Sequence, residues 1–230
     1  MRQSRTDVDP GGVTMVRAPA SVVATSAALV LVACGATPVG TVAPSCRTDR
    51  TILLASQADI ARLARCTTAP GVTIRSGASL DTSVLHALAT ITGDLEIGPT
   101  VGIEEITLGE LRVVEGAIHV ASNGLLQGLY LPHLERAGRI EIDGNVAITT
   151  ISLPRLQAVR GALRITDNAS LELVDLSALA VIDQELVFTG DPQLALVEAT
   201  QLEHAASVRL DVPKLPPDVT ERLRAAAGAP

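Results

Sequence analysis

The amino-acid sequence predicts an all-β solenoid, in which short parallel strands stack coil upon coil around a thin apolar core. Two observations lead to this prediction: apolar residues recur every 22 or 23 positions, and aromatic side chains are nearly absent. Six units begin at Pro70, Gly93, Gly116, Gly138, Gly161 and Gln184, so successive starts are 23, 23, 22, 23 and 23 residues apart. A single unit cannot bury its apolar face alone, so we expect about six stacked coils.

Each unit places apolar residues at the same positions. Position three carries Val72, Leu95, Ile118, Ile140, Leu163 and Leu186, and position five carries Ile74, Ile97, Val120, Ile142, Ile165 and Phe188. This alternation predicts a short strand at the start of every coil. Further inward columns begin at Leu80, Ser83, Leu85 and Leu88 and continue through the later units. Each coil therefore offers two or three straight apolar runs, as one turn of a parallel β-helix requires.

Composition limits both the core and the partners. Hydrophobic residues make up 47% of the 230, but aromatic residues only 1%, so the core must consist of Leu, Ile, Val and Ala. Few aromatic side chains are present on which sugars or bases could stack. The formal net charge is −7 and Lys214 is the one lysine, which argues against binding to nucleic acid or to anionic lipid headgroups.

Position eight of the units is a column of small polar residues. It carries Gly77, Thr100, Asn123, Asn145, Asn168 and Asp191. These residue types tolerate tight turns, and asparagine side chains stacked on one another can satisfy the backbone amides of a corner. A structural ladder is the favoured interpretation of Asn123, Asn145, Asn168 and Asp191, with ligand binding as the alternative.

A second column lies between the two strand hydrophobes and should point outward. It carries Glu96, His119, Glu141 and Arg164 in consecutive coils, which predicts that His119 stands between two glutamates. Such a set could bind a divalent metal or act as acid and base. We favour a solvated charge ladder that fixes the register of the strands, because cross-strand opposite charges contribute about 0.2 to 1 kcal/mol each.

The coil pattern resembles that of the receptor L domain family. The residues that carry the resemblance are Gly161 to Ile165, Asn168, Leu171, Val174, Leu176 and Leu179, with the L-P-x-L segments Leu131 to Leu134 and Leu153 to Leu156. It covers residues 51–212 and implies a right-handed parallel β-helix. The pattern is also similar to a leucine-rich repeat, but here Asn168 precedes the L-x-L instead of following it. Receptor L domains bind protein ligands, so the resemblance implies a binding module.

The N-terminal part resembles a bacterial lipoprotein signal peptide. An apolar run from Val22 to Ala33 is long enough for a signal sequence and too short to span a bilayer. It ends in Leu31-Val32-Ala33-Cys34-Gly35, which is similar to a lipobox, and this resemblance implies that Cys34 is lipidated and becomes the first mature residue. An unmodified Cys34 in a plain signal peptide is the alternative. Translation starts at Met1 or, with a more ordinary signal region, at Met15.

The predicted organisation follows from these features. It comprises a signal peptide (1–33), a flexible tether (34–50), an N-terminal capping region (51–66), the solenoid (67–212) and a C-terminal cap and tail (213–230). Cys46 and Cys66 remain as a pair in an oxidising compartment, which favours a disulfide. Ser56 to Asp59 resembles a capping box that opens a helix through Arg65, and Asp218 to Ala227 predicts a terminal helix.

The motifs for nucleophilic, metal-dependent or phosphate chemistry are not found in this sequence: it contains no G-x-S-x-G, H-E-x-x-H or P-loop. Coils that differ by one residue leave no inserted loops to form a cleft. We therefore expect a non-enzymatic lipoprotein without a cofactor, located in the bacterial cell envelope and most simply in the outer membrane. Its partners would be the membrane, through the lipid, and a protein or envelope polymer. A structural spacer or adhesin without a specific ligand, and a β-helix carbohydrate-active enzyme, are the alternatives.

Overall fold

The computed structural model describes residues 50–228. The predicted signal peptide, Met15, Cys34 and Cys46 lie outside the described residues. In chain order the elements are β1 (Ile52–Leu54), α1 (Gln57–Leu63), β2 (Thr68–Ala69), β3 (Val72–Ile74), β4 (Thr90–Ile91), β5 (Leu95–Ile97), β6 (Glu105–Thr107), β7 (Val113–Ala121), β8 (Gly128–Tyr130), β9 (Arg136–Asp143), β10 (Thr150–Ser152), β11 (Ala158–Val159), β12 (Leu163–Thr166), β13 (Leu173–Asp175), β14 (Val181–Thr189), β15 (Leu196–Glu198), β16 (His204–Asp211) and α2 (Pro217–Ala225).

The strands form two parallel sheets that run along the stack. The long sheet has eleven strands and contains every strand that opens a coil, from β1 to β16. The short sheet has five strands in the order β15-β13-β10-β8-β6. Each strand pairs with the strand one coil away, as in the alignment of Leu95 with Ile118 and of Leu163 with Leu186. The predicted β-solenoid is therefore confirmed.

The stack is slightly longer than the six predicted coils. It amounts to about seven, because β1 aligns Ile52 with Val72 before the first unit and β16 aligns Leu210 with Phe188 after the last. The capping region 51–66 thus contributes a strand to the long sheet as well as a helix. The unit spacing read from the sequence equals the backbone register of the sheets.

The inward columns form one continuous apolar core. The residues at positions three and five are all buried, and Phe188 is fully buried among leucine, isoleucine and valine side chains. The prediction that Ser83 points inward is wrong: Ser83 is exposed, and the neighbouring Thr82 is buried in its place. The reason is a hydrogen bond, since the Thr82 hydroxyl bonds the backbone of Thr107 in the next coil. The first coil therefore lacks a strand at this position.

Helices cover both ends of the described core. Helix α1 starts with the predicted capping box, in which Ser56 and Asp59 satisfy each other's backbone N–H groups. It buries Ile60 and Leu63 against the core and ends there, two residues before the predicted Arg65. Helix α2 likewise buries Val219 and Leu223.

Cys66 is buried and disulfide-bonded. The other two cysteines of the chain lie outside the described residues, so pairing with Cys46 stays a prediction. Within residues 50–228 no helix has the length and hydrophobicity to cross a membrane.

Candidate functional site: the outer face of the long sheet

The charge column consists of Glu96, His119, Glu141 and Arg164, and the structure places these residues side by side on the outer face of the long sheet. Glu96 is aligned with His119, His119 with Glu141, and Glu141 with Arg164. They share one face because each lies between two inward hydrophobic residues of its strand. Strand pairing thus holds four ionisable side chains in one line.

His119 stands between Glu96 and Glu141, as predicted, but its described contact is with a neighbouring column. Its Nε2 atom lies 3.0 Å from Oδ1 of Asp143, and no described contact joins it to Glu96 or Glu141. The imidazole turns toward the next outward residue of β9 and away from the glutamates on either side. The signal for Asp143 was present in the sequence, since residues two apart on a strand share a face.

Arg164 connects the column to a second line of carboxylates. Its Nε atom donates to Oε1 of Glu185 at 3.0 Å, and its Nη1 atom lies 3.5 Å from Oε1 of Glu141. The hydrogen bond that Arg164 donates to Glu185 and the charges of both carboxylates raise the pKa of the Arg164 guanidinium. Glu141 is also 3.6 Å from Nε of Arg139. The arginines and glutamates therefore form a network across three strands, and Arg139 and Glu185 are the members that sequence reasoning missed.

These charges are too open to water to be strong individually. The side chains of His119 and Asp143 are each 47% exposed, and that of Arg164 is 46% exposed. Exposed ion pairs contribute about 0 to 1 kcal/mol each. Among the described residues, no group of three or more His, Cys, Asp or Glu side chains is arranged to bind a metal ion. The column suits contact with a polar partner surface.

Two shallow depressions flank the charge column. One, of about 180 Å³, lies around Glu96 and His119, and the other, of about 220 Å³, lies around Glu141 and Arg164. Pockets for small ligands are commonly about 300 to 1,000 Å³ and mostly apolar. Both depressions are smaller and lined by charged groups, so this face is better suited to a broad contact than to enclosing a small molecule.

Next to this face, position eight forms the corner ladder, made of Thr100, Asn123, Asn145, Asn168 and Asp191. All five are buried, and their side chains bond from one coil to the next. Asn123 Nδ2 donates to Asn145 Oδ1 at 2.8 Å, Asn145 Nδ2 to Asn168 Oδ1 at 3.0 Å, and Asn168 Nδ2 to Asp191 Oδ1 at 3.1 Å. The Thr100 hydroxyl donates to Asn123 Oδ1 at 2.8 Å.

The corner ladder also satisfies the backbone of the corner. The N–H groups of Asn123, Asn145 and Asn168 each donate to the side-chain oxygen of the next coil, at 3.1, 3.2 and 2.8 Å. The amide nitrogen of Asn168 further donates to the carbonyls of Ile142 and Thr166. Almost every polar atom of these side chains is used internally, which leaves little to offer a ligand.

Asp191 is the exception in the corner ladder. Its Oδ1 atom accepts from Asn168, but Oδ2 is buried and has no hydrogen-bond partner. Burial raises the pKa of this carboxyl to about 6, against the lowering effect of the hydrogen bonds from Asn168. Protonation of Oδ2 would turn it into a donor, as the amide nitrogen of an asparagine is.

The tight turns of the corner lie one position before the ladder, not on it. Ser122, Gly144, Asp167 and Gly190 have φ between 57° and 73°, the left-handed region. At Gly190 an added Cβ would also collide with the Asp167 carboxylate, whereas at Gly144 it would meet open space. The ladder residues are thereby free to point inward.

A comparison of the chain with protein-family models, with curated proteins and with solved structures gives no match.

Proposed function

We propose that this chain is a non-enzymatic, lipid-anchored protein of the bacterial cell envelope that binds a protein or envelope polymer through the outer face of the long sheet. The lipobox-like segment at Cys34 supports the anchor, and the resemblance to receptor L domains supports a binding role. The lipid would provide the contact with the membrane, most simply the outer membrane.

One observation carries the proposed binding surface: the charge column and its neighbours place acidic and basic side chains side by side on the outer face of the long sheet. The side chains of His119 and Arg164 are about half exposed and remain accessible to a partner. A binding partner would meet side chains whose spacing is fixed by strand pairing, which limits the conformational entropy lost on association.

The same geometry supports binding over catalysis. General acid–base catalysis requires groups that converge within hydrogen-bond reach of one reacting atom. On this face His119 contacts Asp143 and Arg164 contacts Glu185, and both adjoining depressions are smaller than a usual ligand pocket, which favours surface contact over a site that surrounds a reacting atom. The proposal accordingly includes no cofactor and no substrate.

Site-specific photo-crosslinking in intact cells tests the proposal. A photoreactive residue at Ala121, which follows His119 on the same face of β7, should capture a discrete partner. The matched control carries the same residue at Ser152, on the outer side of the short sheet. Equal capture from both positions would contradict the assignment of the face, and no capture above background would favour the spacer.

The anchor has its own test. A Cys34→Ser variant should move from the membrane fraction to the soluble fraction, because the lipid attachment site is removed. Intact-mass measurement of the wild-type protein should show a diacylglyceryl or triacyl modification. An unmodified Cys34 in membrane-associated protein would contradict the lipoprotein proposal while leaving the crosslinking result unaffected.

A further inference from the structure

The short sheet begins two coils later than the long sheet, in the coil that β5 opens. Its first strand, β6, pairs with β8 on one side only, and residues 76–89 of the preceding coil contain no strand. The other side of β6 is therefore an edge of the short sheet. Open edges of this kind present backbone N–H and C=O groups that can pair with another strand.

The Thr82 side chain occupies half of this edge. Its hydroxyl accepts from the Thr107 N–H at 3.1 Å and donates to the Thr107 carbonyl at 3.2 Å. Thr82 is only 3% exposed, so this contact is a fixed part of the coil. One hydroxyl thus replaces the two backbone partners that a strand of the first coil would have provided.

Glu105 is the edge residue that Thr82 does not reach. The carbonyl of Glu104 accepts from Gln127 at 2.7 Å, and the N–H of Leu108 donates to Tyr130 at 3.1 Å, so alternate residues of β6 bond toward β8. The N–H and C=O of Glu105 consequently point to the open side. Among residues 50–228, no strand is paired with them there.

A cleft of about 370 Å³ lies along this open side, larger than either depression on the long sheet. Its lining includes the carboxylates of Asp81, Glu104 and Glu105, and no lysine or arginine. The Asp81 carboxylate is oriented by the N–H of Ser83, which donates to Oδ1 at 3.0 Å. The cleft therefore combines an unpaired strand edge with a negative wall.

We propose that the β6 edge binds an extended peptide segment that carries lysine or arginine side chains. The peptide backbone pairs with the N–H and C=O of Glu105, extending the short sheet by one strand. Its basic side chains meet the carboxylates of Asp81, Glu104 and Glu105, which select against acidic peptides. This site belongs to a different sheet from the proposed binding face and does not depend on it.

Two variants of the full-length protein separate the backbone contribution from the charge contribution. Glu105→Pro removes the outward N–H, and proline is tolerated at an edge where the N–H faces away from the sheet. Glu105→Gln keeps the N–H and removes the charge. Thermal melting of both variants verifies that they are folded.

The assay is fluorescence polarisation of two labelled pentapeptides, Val-Lys-Val-Lys-Val and Val-Glu-Val-Glu-Val, with the protein in detergent micelles. We expect saturable binding of the lysine peptide only. Its affinity should fall about tenfold in Glu105→Pro. The loss in Glu105→Gln should be smaller, because that variant removes only one of the three carboxylates of the cleft. Higher salt should weaken binding to wild type.

Several results would overturn the proposal. Failure of the lysine peptide to bind would contradict it. Equal binding of that peptide to Glu105→Pro and to wild type would mean that net negative charge attracts it elsewhere. Binding that emerges only after deletion of residues 35–45 would assign the edge to the chain's own tether. Dimerisation of wild type that Glu105→Pro abolishes would assign it to a second copy. Crosslinks from Ala121 should be unchanged in Glu105→Pro, so the two proposals fail independently.

Discussion

The end of the corner ladder makes a quantitative prediction about stability. Asp191 occupies the position of an asparagine, but its Oδ2 atom is buried without a partner. One coil earlier, the amide nitrogen of Asn168 donates to the carbonyls of Ile142 and Thr166 at 3.1 and 3.0 Å. The Asp191→Asn substitution would place an N–H₂ group at the position that corresponds to the amide nitrogen of Asn168, and would keep the oxygen that accepts from Asn168.

The sign of the pH dependence follows from the direction of the pKa shift. Burial raises the pKa of Asp191 to about 6 in the folded state, whereas the pKa of an aspartate in an unfolded chain is about 3.9. The stabilisation from the protonated form is therefore fully present below about pH 4 and is lost as the pH rises through about 6. Two pKa units correspond to about 3 kcal/mol, and relaxation of the site with water entry reduces the expected loss to about 2 kcal/mol.

Denaturant unfolding at several pH values measures this effect. At pH 7.5 we expect Asp191→Asn to unfold with a free energy about 2 kcal/mol larger than that of wild type, and the difference should shrink toward pH 4. Substituting the exposed Asp183 by Asn provides the control for losing one carboxylate at the surface. A difference between Asp191→Asn and wild type that is the same at pH 4 and pH 7.5, or a variant less stable than wild type at pH 7.5, would refute the reasoning.

Three further predictions concern the corner and the disulfide. Asn145→Leu should lower the free energy of unfolding by about 3 kcal/mol or more, because it leaves buried donors of the neighbouring coil unsatisfied. Thr100→Val, at the end of the corner ladder, should lower the same free energy by about 1 kcal/mol. Equal losses for the two variants in urea titrations would contradict a bonded ladder. Gly190→Ala should destabilise the protein more than Gly144→Ala, for which we expect about 1 kcal/mol, because both have a left-handed φ but an added Cβ collides only at Gly190 of these two. Thermal melting compares the two variants. Cys66→Ser should lower the free energy of unfolding by about 3 kcal/mol. Non-reducing peptide mapping of wild type should recover Cys66 linked to Cys46. Linkage of Cys66 to Cys34 would contradict the assignment of lipid and disulfide.

The solenoid could be predicted because one register error would have moved every apolar residue to the wrong face. Leu95, Ile118 and Ile140 occupy the same position of consecutive units, where an apolar side chain must face the core. All six units have an apolar residue at this position. The corner ladder followed from the same register, since a column of asparagines requires partners above and below. Repetition therefore determined the backbone and every contact that runs along a column.

Contacts between columns depend on side-chain rotamers, which the repeat does not specify. His119 turns to Asp143 although a glutamate stands on either side of it in its own column, and Arg164 bonds Glu185 as well as Glu141. Thr82 replaces Ser83 in the interior because a hydroxyl bonds the edge of β6, where the first coil departs from the common pattern. The departures thus lie at the outer face and at the sheet edge, the two places where no further coil restricts the side chains.

The rigidity of the corner is the physical reason to expect recognition from this fold. The corner ladder ties each coil to the next through buried side-chain hydrogen bonds, and it stops after Asp191, where the residue in register one coil later is Pro213, whose side chain has no acceptor. From Thr100 to Asp191, coils cannot slide or separate without breaking buried hydrogen bonds. The outer face is consequently a surface whose charges move only by side-chain rotation, so a partner meets a nearly preorganised pattern. Under the proposed function, a partner with complementary charges along the stack should therefore lose affinity as the salt concentration rises, because the half-exposed charges of this face are screened.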